Sequence, residues 1–192
     1  MKIIRKENQN TGNWSGGTTT ELYIFPENSI YQERNFEYRI SSAIVAIDES
    51  EFTSLNAYAR KIMTLEGSMH LYHENHYDIQ LDKFDTDSFH GSWKTKSIGK
   101  VTDFNLMTSK NYDGDIKGII VKNDIDINIK DLLSKNTIET LSLYIYKGEC
   151  YLNNISLKEK DYIILSKNDL DAINTLKCIE KAEIIVTNVW KL

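Results

Sequence analysis

Apolar and polar residues alternate with a period of two along most of the chain, the spacing that places successive side chains on opposite faces of a β-sheet. The longest such run is 36–47. Phe36, Tyr38, Ile40, Ser42, Ile44 and Ala46 fall on one face, and Glu37, Arg39, Ser41, Ala43, Val45 and Ile47 on the other. Because both faces carry apolar residues, the run is expected to be covered on both sides over its second half. Asp48-Glu49-Ser50-Glu51 then reads as a charged turn.

Shorter strands are predicted at 18–25, 60–65, 68–72, 77–81, 116–121, 125–129, 140–146, 150–152, 162–165 and 182–189. Each is rich in β-branched and aromatic residues and bounded by Gly, Asn, Asp or Lys. Helical turns are predicted only near 131–134 and 54–59. Many short, closely spaced strands predict an all-β sandwich or barrel rather than a βαβ fold.

One segment recurs. Ile62 to Leu71 aligns with Leu143 to Leu152, so that Glu66-Gly67 matches Lys147-Gly148. A charged residue and a Gly between alternating strands read as a hairpin turn, the Gly supplying positive φ. Two such units in 192 residues suggest two fused small barrels.

Composition narrows the function classes. With 23 basic and 28 acidic residues the net charge is −5 and the pI near 5.4, against a general affinity for nucleic acid. A single proline, Pro26, excludes a Pro-rich polymer. No apolar stretch approaches the roughly 20 residues of a membrane span, and MKIIRKENQN lacks the apolar run of a secretory signal. A cytoplasmic protein is expected, with Cys150 and Cys178 reduced and buried as small apolar side chains. Only Arg5, Arg34, Arg39 and Arg60 are arginine, so an Arg inside an apolar strand calls for a reason.

Several blocks resemble the HutD/Ves family of bacterial proteins, a cupin family associated with histidine utilisation. They are Trp14-Ser15-Gly16-Gly17-Thr18-Thr19-Thr20-Glu21, Phe36-Glu37-Tyr38-Arg39-Ile40-Ser41-Ser42-Ala43, and Tyr58-Ala59-Arg60 leading to Leu65-Glu66-Gly67. Phe89-His90-Gly91 and Gly99 with Asp103-Phe104-Asn105-Leu106-Met107 follow in order, and 141–190 is similar more loosely. The resemblance implies a bicupin: two fused double-stranded β-helix (RmlC-like jelly-roll) barrels in one unit over 1–192, with lobes at roughly 14–110 and 115–192 and no separable linker. Tyr38 stands where the family commonly has Trp, and Thr20 where a basic residue is common.

Cupins often hold a metal, but His70, His73 and His76 lack the usual His-x-His with a downstream Glu. Along one strand His70 and His76 would stand roughly 20 Å apart at about 3.3 Å per residue. A turn at Glu74-Asn75 could bring His73 and His76 together; otherwise these are solvated turn histidines, and His90 is an isolated hydrogen-bonding group. No metal site and no cofactor are expected.

The arginines carry two readings. Arg39 forms an internal ion pair with Glu21 or Glu37, or grips a ligand carboxylate in bidentate fashion, and Arg60 allows the same choice. Trp14 with Gly16-Gly17 and the threonines reads as the wall and rim of a pocket, or as a plain strand-entry turn. Asp103 and Asn105 share a face and close a polar pocket or brace a turn.

The expected function is binding of a small anionic metabolite by Trp14, Thr19, Glu21, Arg39, Ser41, Arg60, Asp103 and Asn105. The resemblance implies a histidine-degradation intermediate such as formylglutamate, with a regulatory or accessory role. The alternative is a metal-free cupin enzyme, an isomerase or hydrolase acting on a small acid or sugar. No Ser-His-Asp or Cys-His constellation is recognisable. No nucleic-acid or membrane partner is expected; cupins pair through sheet edges, so the resemblance allows a homodimer.

Overall fold

A computed structural model describes residues 1–135, 137–173 and 175–192. It divides into two compact units: Asn10–Asp113 together with Leu192, and Met1–Gln9 together with Gly114–Lys191. After β1 (Lys2–Ile4), the first unit holds β2 (Asn10–Trp14), β3 (Gly17–Phe25), β4 (Tyr38–Val45), β5 (Glu49–Glu51) and β6 (Tyr58–Glu66). It continues with β7 (Met69–His73), β8 (Asp78–Leu81), β9 (Thr86–His90), β10 (Thr95–Ile98) and β11 (Val101–Ser109). Then β12 (Tyr112–Val121) leads into β13 (Ile125–Asn128), β14 (Thr140–Lys147), β15 (Cys150–Leu152) and β16 (Ile155–Leu157). The chain closes with β17 (Tyr162–Ser166), the helix α1 (Lys167–Ala172), β18 (Thr175–Cys178) and β19 (Ala182–Lys191). No helix among the described residues is long and apolar enough to cross a membrane.

The first unit packs the six-stranded sheet β2-β3-β4-β11-β6-β9 against the four-stranded sheet β5-β10-β7-β8. Ile62, Phe89 and Val101 from one sheet meet Met69, Leu71 and Leu81 from the other, all nearly fully buried. The second unit repeats the plan with β1-β17-β14-β19-β12 and β13-β18-β15-β16 around Leu141, Leu143, Leu157, Leu165, Leu176 and Ile184. Strands pair antiparallel, as in β4 against β11, where Ser41 faces Asn105 and Arg39 faces Met107.

The recurrent Gly step is present in both units but does not turn a hairpin. β6 and β7 lie in different sheets, as do β14 and β15, so Gly67 and Gly148 carry the chain from one sheet to the other. Their φ values are +77° and +86°, and a Cβ at either would stand 2.5 Å from a backbone carbonyl, of Lys100 or Lys181. Only Gly accommodates both the dihedral and the approach.

Other expectations need correction. Glu49–Glu51 is a short edge strand rather than a turn, and 54–59 holds no helix. The 131–134 turn is a 3-10 turn at Ile129–Leu132, and a true helix stands at Lys167–Ala172, where Asp169 accepts a hydrogen bond from the Ser166 backbone N–H at 2.8 Å. In β4 the first half is buried and Ile44 is 55% exposed, the reverse of the expected coverage. Strand β11, central in its sheet, was legible only as the alternation around Asp103 and Asn105, residue types depleted from strands.

The cysteines also differ from expectation. Cys150 and Cys178 are fully buried, as anticipated, but form a disulfide. The β15–β18 register places them directly opposite, with Cα atoms 4.2 Å apart, a neighbourhood their separation of 28 residues does not reveal.

Candidate functional site

Alternation along five neighbouring strands brings one set of polar side chains to the inner face of the six-stranded sheet. Across it the register aligns Asn10, Glu21, Ser41 and Asn105 in one row, and Arg39, Met107 and Arg60 in the next. A third row runs Gly12, Thr19, Ala43, Asp103. These rows floor a cavity of about 630 Å³ within the first unit. Trp14, Thr19, Glu21, Arg39, Ser41, Arg60, Asp103 and Asn105 all line it. Thr20, on the opposite face of β3, does not; its hydroxyl lies 2.8 Å from that of Thr11. Trp14 forms a wall, its ring lying where a Gly16 side chain would be.

The two arginines have unequal partners. Arg39 Nε donates to Glu21 Oε2 at 2.7 Å and Nη1 to Ser41 Oγ at 3.2 Å, with the guanidinium 4.3 Å above the Tyr31 ring. Glu37, the other candidate partner, precedes the first residue of β4 and instead accepts from Ser109 and Asn111. Arg60 is 6% exposed and lies over Phe52 at 4.6 Å. Its Nη2 donates to Asn105 Oδ1 at 3.2 Å, its Nε is buried with no hydrogen-bond partner, and no carboxylate among the described residues pairs with it. Burial pushes its pKa down to about 10, opposed by Tyr31 and Asp103, so it remains cationic at neutral pH.

Asn105 joins Arg60 to Asp103. Its Nδ2 donates to Asp103 Oδ1 at 2.7 Å while its Oδ1 accepts from Arg60. Asp103 is 4% exposed, and burial pushes its carboxyl up to about 6 despite Asn105, Arg60 and the Ala43 backbone N–H, which favour the anion. The site therefore offers one cation already matched by a carboxylate, one buried cation short of partners, and one carboxyl close to its titration point. Tyr31, Phe52 and Met107 also line it and were not anticipated, because they reach it from a 3-10 turn, a loop and the middle of β11.

The histidines lie elsewhere and are not solvated as a group. Strand β7 ends at His73, and a turn at Glu74-Asn75 separates it from His76. His73 is buried, 2.8 Å from both Thr95 Oγ1 (Nδ1) and Asp87 Oδ2 (Nε2). Tyr77 donates to the other Asp87 oxygen, and its phenol is pushed up to about 12 by burial and by that bond. His76 stacks on Trp93 at 3.7 Å, His70 bonds Asp78, and His90 bonds Ser92. Among the described residues no group of three or more His, Cys, Asp or Glu is placed to hold a metal ion.

The HutD family model matches residues 6–186, nearly the whole chain. This chain belongs to the HutD family. Solved structures agree on the fold: HutD from Pseudomonas fluorescens, in a formate condition, covers 100% of this chain and 98% of its own at 18% identity and TM-score 0.75. A conserved protein of unknown function from Pseudomonas aeruginosa gives 19% identity, 98% of both chains and TM-score 0.76. The nickel(II) complex of the bacterial pirin YhhW from Escherichia coli gives 7%, 97% of both and 0.69. A Leptotrichia buccalis cupin 2 conserved barrel domain protein aligns at 0.56. This HutD-family chain is all-β with a cupin fold; no curated protein matches it.

Proposed function

We propose that the chain is a bicupin of two fused barrels, lobes roughly 14–110 and 115–192, whose first lobe binds a small carboxylate-bearing metabolite. The observation that carries this is Arg60: a buried guanidinium on a cavity floor, with an unsatisfied Nε and only a neutral amide as partner. A carboxylate laid against it would satisfy the orphaned Nε–H together with a second guanidinium N–H, in the paired geometry that Arg favours. Trp14, Thr19, Glu21, Arg39, Ser41, Asp103 and Asn105 supply the remaining surface, and Glu21 holds Arg39 in a fixed direction. Family membership points to a histidine-degradation intermediate such as formylglutamate, bound in a regulatory or accessory role in the cytoplasm.

Titration calorimetry with N-formylglutamate, glutamate and formate is the test. Wild type should bind at least one of them, and Arg60→Gln should weaken that binding at least tenfold. Equal affinity in the variant, or no binding by wild type, overturns the reading.

Asp103 favours a second reading, a metal-free isomerase or hydrolase acting on a small acid or sugar. A carboxyl with its pKa near 6 in a cavity suits general acid–base work. Turnover of a candidate acid that disappears in Asp103→Asn would select it.

A further inference from the structure

Arg60 has two claimants. Asp103 reaches it through the Asn105 amide, and any carboxylate bound in the cavity would take the same guanidinium directly. The charged and titratable groups around Asp103 come from every neighbouring element of the cavity: Arg60 on β6, Arg39 on β4, Glu21 on β3, Tyr31 on the 3-10 turn at Tyr31–Glu33 and Glu51 on β5. Ser97 on β10 and Phe52 add no charge. Arg39 is already matched by Glu21, while Glu51 is exposed on β5 and pairs with neither guanidinium. An ionised Asp103 therefore leaves the buried groups neutral overall, and an incoming carboxylate brings the cavity excess negative charge.

We propose that the cavity takes up a carboxylate together with a proton, the proton resting on Asp103. This rests on the carboxylate-binding reading above and specifies its charge balance. A buried second anion next to Asp103 would be repelled, because little water separates the two charges. Protonation of Asp103 removes that repulsion and leaves Arg60 to the ligand alone. The free carboxyl already lies near its titration point, so a nearby anion suffices to complete the protonation at neutral pH. The site is then selective for the state in which ligand charge and Asp103 charge are not both present, and Asp103 is a specificity determinant rather than a counter-ion.

N-formylglutamate serves as the probe, since its own carboxyls stay ionised near neutral pH. Calorimetry at pH 7 in two buffers of different ionisation enthalpy should report uptake approaching one proton per ligand. Affinity should weaken by up to about tenfold per pH unit above about pH 6.5. Asp103→Asn should bind with no proton uptake and with affinity independent of pH over that range. Because that variant could misfold, a carbon-detected titration of the wild-type Asp103 carboxyl gives an independent readout: ligand should move its midpoint upward. Binding by wild type with no uptake and a flat pH profile overturns the coupling while leaving the carboxylate-binding reading intact. Uptake that persists in Asp103→Asn overturns the assignment to this residue. No binding by wild type at any pH removes both.

Discussion

In the unliganded protein, ionising Asp103 should cost stability, and Asp103→Asn should remove that cost. The carboxyl is 4% exposed and its pKa is raised from 3.8 to about 6, chiefly by burial. The folded state therefore holds this proton more tightly than the unfolded chain does. Between the two values the native protein carries the larger number of protons, so stability is greatest at low pH and falls as pH rises through about 6. A shift of roughly two pH units at about 1.36 kcal/mol each amounts to about 3 kcal/mol, of which about 2.5 kcal/mol is lost between pH 4 and pH 8. Urea unfolding of wild type and Asp103→Asn at both pH values isolates the effect. Packing differences between carboxyl and amide cancel when the two pH values are compared, as do the contributions of all other titrating groups. The variant should gain about 2 to 3 kcal/mol relative to wild type on going from pH 4 to pH 8. In thermal melts the same gain should appear as several degrees, at about 2–4 °C per kcal/mol for a chain of this size. A stability difference that is equal at the two pH values would refute burial as the dominant influence on Asp103.

Two further predictions concern the framework. The disulfide between Cys150 and Cys178 spans 28 residues, so its loss in a Cys150→Ala, Cys178→Ala variant should cost about 3.5 kcal/mol on loop-closure grounds; a reductant should lower the unfolding midpoint of wild type and leave that of the variant unchanged. Gly67→Ala and Gly148→Ala should each lose more than about 1 kcal/mol, because each introduces a Cβ 2.5 Å from a backbone carbonyl at positive φ. Melting temperatures equal to wild type would show that these corners relax.

The strand content was legible because alternation is a local property: Tyr38–Val45 and Thr140–Lys147 announce themselves in a few residues. Sheet partnership is not local, which is why Gly67 and Gly148 read as hairpin turns although each links two sheets. The same limit hid the disulfide, since only the β15–β18 register sets its cysteines opposite one another. Within the site, the polar residues of β3, β4, β6 and β11 could be named because a charged or amide side chain in an apolar strand stands out. Tyr31 and Phe52 could not, because aromatic residues in connecting segments look like any loop until the fold brings them over the guanidinium groups. The sequence left open whether Arg39 meets Glu21 or Glu37; where β4 begins decides it for Glu21.

The opening nine residues belong with the later part of the chain. Lys2, Ile3 and Ile4 extend the sheet edge at Ile164, Ile163 and Tyr162, the Met1 amino group pairs with Asp169 at 2.6 Å, and Arg5 and Lys6 both bond Asp161. Ribosomal synthesis therefore delivers this edge strand first and its docking site more than 150 residues later. A cut at the boundary between the units would strand it on the wrong fragment, leaving β17 as a bare edge open to another chain. To express the Gly114–Lys191 unit alone, a gene would have to graft residues 1–9 onto it, a circular rearrangement that the primary order conceals.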